Sequence, residues 1–260
     1  MGRALVGGLL RSGTRAEMLR VGEHLEAPRA AVARDFGVEA SPDNARAIEG
    51  ASLVLLAVKP QDAEDVLVPL APLLGAARPL VLSVCAGVRL AALERWCGPG
   101  VPVVRAIPNR PALVGAGISG LYAPETVGAR ERSAAEETLR AVGEVVWVGS
   151  EGALDVVTAL SGSGPAYFFL LTQLMAEAGA ELGLEAQTAR RLALATLCGS
   201  ALMAQSGDAD LVRLRAEVTS TGGTTEAAVQ VFEAADLRAT VRGALAAAAA
   251  RSRELGAIQN

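Results

Sequence analysis

The chain has 260 residues, 51% of them hydrophobic, with 24 basic residues against 28 acidic ones and a net charge of −4. That length fits one large domain or two ordinary ones, and the charge argues against a nucleic-acid surface, which needs clustered excess Lys and Arg. No apolar run approaches the roughly 18–20 residues of a membrane span, and no apolar stretch with a cleavage site follows Met1. A cytoplasmic protein without a membrane partner is therefore expected.

Two scarcities narrow the chemistry. His24 is the only histidine and Lys59 the only lysine. A Ser-His-Asp triad or a two-histidine metal site would have to rest on His24 alone, and His24 sits in a polar, loop-like stretch, so no metal site is expected. Cys85, Cys97 and Cys198 are odd in number and widely spaced, which reads as reduced thiols and not as a disulfide frame or zinc site. The chemistry is expected to belong to a bound cofactor.

Along the chain, residues 2–13 read as a helix that stops at Gly13. Short β-rich runs follow at 18–21, 52–58, 80–84, 103–107, 117–123 and 144–148, with helical spacing between them at 28–36, 62–74 and 89–96. Such alternation is the signature of an α/β fold with a parallel sheet. Residues 52–58 are almost continuously apolar, as in a strand covered on both faces. After about Glu151 strand signals vanish. Helices are expected from Pro165 to about Leu182, over 185–205, and over 237–255, where alanine dominates. Residues 1–150 read as a nucleotide-binding domain and 151–260 as a helical domain whose long apolar helices suit burial against a second subunit.

Four local patterns bear on chemistry. Glu23 lies about 20 residues beyond Gly2, the spacing that puts an acid near an adenosine ribose in a dinucleotide fold; taken alone, the reading as a surface helix and a surface acid is favoured. In LLAVKPQ (55–61) a buried strand ends at Val58 and a stiff Lys59-Pro60 turn follows, at the edge where open α/β sheets bind ligands. In SGSGPAYFF (161–169) Pro165 reads as a helix start whose amides favour anions, or as an ordinary capped helix. In VTSTGGTTEAAV (218–229) hydroxyl residues flank a Gly-Gly pair that opens a helix. That is more than capping requires and fits a carboxylate nest.

Taken together, LLAVKPQ, SVCAGV (83–88), VVRAIPNRPALVGAG (103–117), SGSGPAY and TSTGGTT resemble, in order and over essentially the whole chain, the pyrroline-5-carboxylate reductases. The resemblance implies a Rossmann domain followed by an all-helical dimerisation domain, with active sites at the subunit interface of a homodimer or larger homo-oligomer. It implies reduction of 1-pyrroline-5-carboxylate to L-proline with NADPH or NADH. By the same resemblance Ala57, Val58, Lys59 and Pro60 match the cofactor-contacting turn, and Asn44 an asparagine on the adenosine side. Ala86 and Gly87 match the segment lining the nicotinamide, and Pro108 and Asn109 its PN turn. Ser220, Gly223, Thr224 and Thr225 match the loop that holds the substrate carboxylate, with Thr225 near the ring nitrogen; Thr225 and Lys59 are the expected catalytic residues.

Three departures accompany the match. Thr221 stands where the family loop carries proline. Glu23, His24 and Leu25 stand where the family offers Asn or Asp, then Arg, then Ser or Thr. A carboxylate there accepts from a ribose 2′-hydroxyl and repels a 2′-phosphate, so NADH is expected to serve at least as well as NADPH unless Arg20 or Arg29 intervenes. Finally, of the family's first strand and its G-x-G-x-x-G motif only the last glycine, Gly2, is present. A natural start upstream of Met1 is the expectation. The rival reading is a non-catalytic dimeric relative that has lost dinucleotide binding. A β-hydroxyacid dehydrogenase is disfavoured, because it needs a lysine beyond Lys59.

Overall fold

The computed structural model describes residues 1–207 and 210–258. Its first part carries every strand. Helix α1 (Gly2–Arg11) leads to β1 (Arg20–Gly22), α2 (Glu26–Phe36), β2 (Glu39–Ser41) and α3 (Asn44–Ile48). Then come β3 (Leu53–Leu56), α4 (Ala63–Leu67), α5 (Ala71–Ala77), β4 (Leu80–Ser83), α6 (Leu90–Cys97) and β5 (Val103–Pro108). β6 (Gly117–Tyr122), α7 (Ala129–Arg140) and β7 (Gly143–Trp147) complete this part.

Strands β3 to β7 form one sheet in sequence order, while β1 and β2 form a separate parallel pair. No ladder among the described residues joins β1 to β3, the position at which the Rossmann order places its first, central strand. The expected parallel sheet has one antiparallel pair, β5 with β6. The connection over 109–116 is the reason, since a parallel crossover needs a dozen or more residues. β2 was not foreseen, because Glu39, Ala40 and Ser41 give a strand no apolar alternation. The first strand begins two residues later than expected, because Ala16–Met18 forms a 3₁₀ turn. The continuous helix expected over 62–74 is broken by Pro69 and Pro72, which open a 3₁₀ turn and α5 in turn.

Strand alternation divides the core. On β4, Val81 faces one cluster with Leu56, Leu67, Leu74, Leu93 and Trp96, while Leu80 and Leu82 face another with Leu5, Val104, Leu121 and Leu139. The sheet is thus covered on both faces, as its apolar runs require.

The remainder is helical: α8 (Ala153–Val157), a π turn (Thr158–Gly162), α9 (Gly164–Glu181), α10 (Ala186–Gln205), α11 (Leu211–Glu217), α12 (Thr224–Ala234) and α13 (Leu237–Ile258). The chain forms two compact units. One comprises Met1–Ser163 and the stretch from Ala247 onward, and the other Gly164–Ala246. In the second unit apolar side chains lie largely in the open: Phe168, Phe169, Leu170, Leu174, Met175, Leu202 and Phe232 are all exposed. Ala153–Glu181 is one helical run of 29 residues that contains an 18-residue window of mean hydropathy 1.3, long and apolar enough to cross a membrane by length and composition. That corrects the expectation that no segment approaches this length. The glycines and serines at 161–164 concealed the continuity.

Candidate active site

The cofactor-side residues sit at the carboxyl ends of strands. Beyond β3, Ala57 and Val58 lead to Lys59, whose extended backbone starts a 3₁₀ turn with Pro60 at its first position. Lys59 is exposed. The Cys85 thiol donates to the Val58 carbonyl at 3.3 Å and reaches the Leu56 carbonyl at 3.6 Å. It thereby ties the Lys59-Pro60 turn to the loop after β4 that carries Ala86 and Gly87. Burial pushes this thiol up from its ordinary pKa, so it is a neutral strut and not a nucleophile. Gly2, at the start of α1, lies against Ala57: a Cβ on Gly2 would stand 3.5 Å from the Ala57 Cβ. The first turn of α1 has neither a side-chain cap nor an acidic residue, leaving the positive end of a ten-residue helix suited to an anion.

Glu23 and Asn44 meet around the end of β1. A Cβ at Gly22 would fall 2.2 Å from Asn44 Oδ1, so only glycine lets the Asn44 amide lie over this strand. Glu23 extends the ladder past β1, its N–H donating to the Ser41 carbonyl at 2.9 Å. The Glu23 carboxylate Oε1 accepts from the Leu25 N–H at 2.9 Å. His24 is exposed beside it.

Asn109 is 8% exposed, and its Oδ1 accepts from the Ile118 N–H at 3.0 Å. That bond braces the β5–β6 turn and leaves only the amide NH₂ for a ligand. Pro108 closes β5.

The carboxylate-loop residues belong to the second unit. Gly222 has φ +73°, a left-handed conformation open to glycine, and Gly223 caps α12 without a side-chain bond. The amides of Thr224 and Thr225 therefore head the helix. The Ser220 carbonyl accepts from the Gly223 N–H at 3.0 Å. One participant was missed: Glu226, whose carboxylate accepts from the Gly222 N–H at 2.7 Å. The signal was present, since Glu at the third helical position is the acidic half of a capping box.

The reading of Pro165 as a free helix start is corrected. The Ser163 N–H donates to the Thr158 carbonyl at 2.8 Å, the i→i+5 bond of a π turn, and helix continues on both sides. The π turn absorbs the N–H that Pro165 lacks.

A buried ionic group also escaped the sequence reading. Arg105, on β5 and 3% exposed, pairs with Glu151, whose Oε1 also accepts from the Leu90 N–H. Arg89 pairs with Asp155 at 3.0 Å, and Asp155 Oδ1 accepts from Ser252 Oγ at 2.7 Å. Burial lowers the Arg105 pKa, and the Glu151 carboxylate opposes that shift. The group anchors the start of α6, at Arg89 and Leu90, just after Gly87. Its partners lie 46, 66 and 97 residues apart, beyond any local pattern.

Two family descriptions match the chain: "Pyrroline-5-carboxylate reductase dimerisation" over residues 151–255, and "NADP oxidoreductase coenzyme F420-dependent" over residues 1–87. A pyrroline-5-carboxylate reductase of Pseudomonas aeruginosa is 46% identical over 98% of this chain and 93% of its own. The chain belongs to the pyrroline-5-carboxylate reductase family. Among solved structures, the pyrroline-5-carboxylate reductase of Coxiella burnetii is 40% identical with a TM-score of 0.94, covering 98% of this chain and 94% of that one. The Plasmodium falciparum pyrroline carboxylate reductase, solved with NADP bound, is 27% identical with a TM-score of 0.85 and the same coverage. A Rossmann-like domain followed by a helical dimerisation domain is thus this chain's fold class.

Proposed function

We propose that this chain reduces 1-pyrroline-5-carboxylate to L-proline with NAD(P)H, the last step of proline biosynthesis. The observation that carries the reading is full-length similarity to several reductases of that name, at 37–46% identity. The residues support it. The acid-free N-terminus of α1 beside Ala57 and the turn Ala57–Val58–Lys59–Pro60 suit a dinucleotide, with Glu23 and Asn44 at its adenosine end. Ala86, Gly87 and Asn109 are assigned to the nicotinamide side. Ser220, Gly223, Thr224 and Thr225 are assigned to the substrate carboxylate, the last through its amide and hydroxyl.

A bound reduced nicotinamide supplies the hydride, which goes to the C=N carbon of the substrate. The ring nitrogen is basic enough to arrive protonated, so no strong protein acid is needed, and a chain with a single histidine suffices. Thr224 and Thr225 fix the carboxylate, and with it the angle of the ring. Thr225 is the residue set against the ring nitrogen. Lys59, the only lysine, adds the positive charge of the cofactor turn. The dimerisation match supports a homo-oligomer, with the dimer as its smallest form. A net charge of −4 argues against a nucleic-acid partner, and a cytoplasmic enzyme is the proposed setting.

The test is direct. Purified protein is expected to consume NADH or NADPH only when pyrroline-5-carboxylate is present, with proline as product. Absence of proline with both cofactors would instead favour the non-catalytic relative.

A further inference from the structure

We infer that Glu23 makes this chain an NADH-selective member of its family, by holding a fixed carboxylate where the 2′-phosphate of NADPH would have to sit. The inference rests on the dinucleotide reading above and concerns only the adenosine end of that site.

The carboxylate is not a free surface charge. It follows β1 directly, its own N–H is bonded to Ser41 on β2, and its Oε1 is held by the Leu25 N–H. One oxygen is therefore anchored by the loop. The other remains to accept from a ribose 2′-hydroxyl, the geometry in which an acid at this point of a dinucleotide fold selects the unphosphorylated ribose. Asn44 closes the other side, its amide lying over Gly22 where any larger residue would displace it.

An acid at this position is compatible with a 2′-phosphate when a neighbouring arginine offsets it. Here every arginine on β1, α2 and α3 is already engaged. Arg20 donates to the Arg46 and Glu49 carbonyls. Arg29 donates through Nη1 to the Glu23 and His24 carbonyls at 3.0 and 3.1 Å, so it stiffens the loop that presents the acid. Arg34 pairs with Asp35, and Arg46 with Glu39. His24, whose Nδ1 lies 3.6 Å from Glu23 Oε1, is the remaining basic side chain in the loop. A 2′-phosphate would meet the Glu23 carboxylate, while Arg20 and Arg29 are directed onto backbone carbonyls.

Binding, not turnover, tests this. NADH and NADPH are titrated into the wild-type chain and into Glu23→Gln by calorimetry, in mildly alkaline buffer at low and high ionic strength. The glutamine keeps an oxygen for the Leu25 N–H, so the loop is preserved while the charge is removed. A hydrogen bond to a charged group is worth about ten- to a hundred-fold in affinity. The wild type is expected to bind NADH at least about ten-fold tighter than NADPH, and Glu23→Gln to lose most of that ratio. Added salt is expected to narrow the wild-type ratio and leave the variant's unchanged. Equal or tighter binding of NADPH by the wild type, or a ratio untouched by Glu23→Gln, overturns the inference while the dinucleotide reading stands. Binding of neither nucleotide overturns both.

Discussion

Thr225 shows how much of the proposed chemistry can hang on one side chain. It offers an amide near the head of α12 and a hydroxyl on the following turn, in a loop that Gly222 shapes with a left-handed φ. If that hydroxyl holds the substrate carboxylate, Thr225→Ala removes one hydrogen bond to a charged group, about 1.5–3 kcal/mol. A ten- to hundred-fold fall in kcat/KM is expected, with dinucleotide affinity nearly unchanged. Steady-state kinetics beside calorimetry separate the two; a parallel loss of cofactor affinity would mean general damage. At this scale the sequence was readable where motifs are local. Glycine and hydroxyl residues at 219–225 announced a turn that opens a helix, and Gly222 and α12 supply it. Glu226 went unread although its place at the third helical position was a local signal, whereas the Arg105–Glu151 pair had none, its members standing 46 residues apart.

At the scale of elements, α10 starts on a charged cap with a definite pH dependence. The Glu185 carboxylate accepts from the Gln187 and Thr188 N–H groups at 2.9 and 2.8 Å. Those backbone bonds, Gln187 first, hold its pKa below the ordinary glutamate value. A carboxyl depressed in the folded state contributes stability above its unfolded pKa and loses it as pH falls through the folded one. Glu185→Gln is therefore expected to lower Tm at neutral pH, with the difference closing as pH drops below the carboxylate range. Circular-dichroism melts across that range check it, and a pH-independent difference would mean the cap acts through shape alone. Elements with strong periodicity were legible: β3 to β7 and α9, α10 and α13 lie within a few residues of their expected bounds. β2 was not, since three residues at a sheet edge carry no pattern. The reversal at β6 was latent in the connection length, which forbids a parallel crossover.

For the whole molecule, the second unit has more apolar surface than it can bury alone. Phe168 and Phe169 are 58% and 61% exposed, on a helix with only Gly164 and Thr172 buried. Exposed apolar patches of this kind mark an interaction surface, and the matched family is described by its dimerisation. Sedimentation velocity is expected to find a dimer or larger species at micromolar concentration. Phe169→Asp is expected to shift it toward monomer, since an unpaired charge in an interface costs several kcal/mol. A wild-type monomer would contradict the assignment. The apolar helices that led the sequence reading to a second subunit are the same ones that stand exposed here.

The order of the units along the chain has a further consequence, in the time dimension of synthesis. The first unit is interrupted: its body ends at Ser163, and its last part is the end of α13, where Ala249, Ser252 and Gly256 are buried and Ser252 bonds to Asp155 across 97 residues. The second unit is inserted between those parts. A growing chain folds from its N-terminus as residues emerge, yet here the strand-bearing unit waits for the final helix. The inserted unit runs to Ala246, immediately before that last part, so α13 completes both units together. Its apolar faces are laid down only after the whole strand-bearing body through Ser163, so they meet a second copy when that body has already been synthesised.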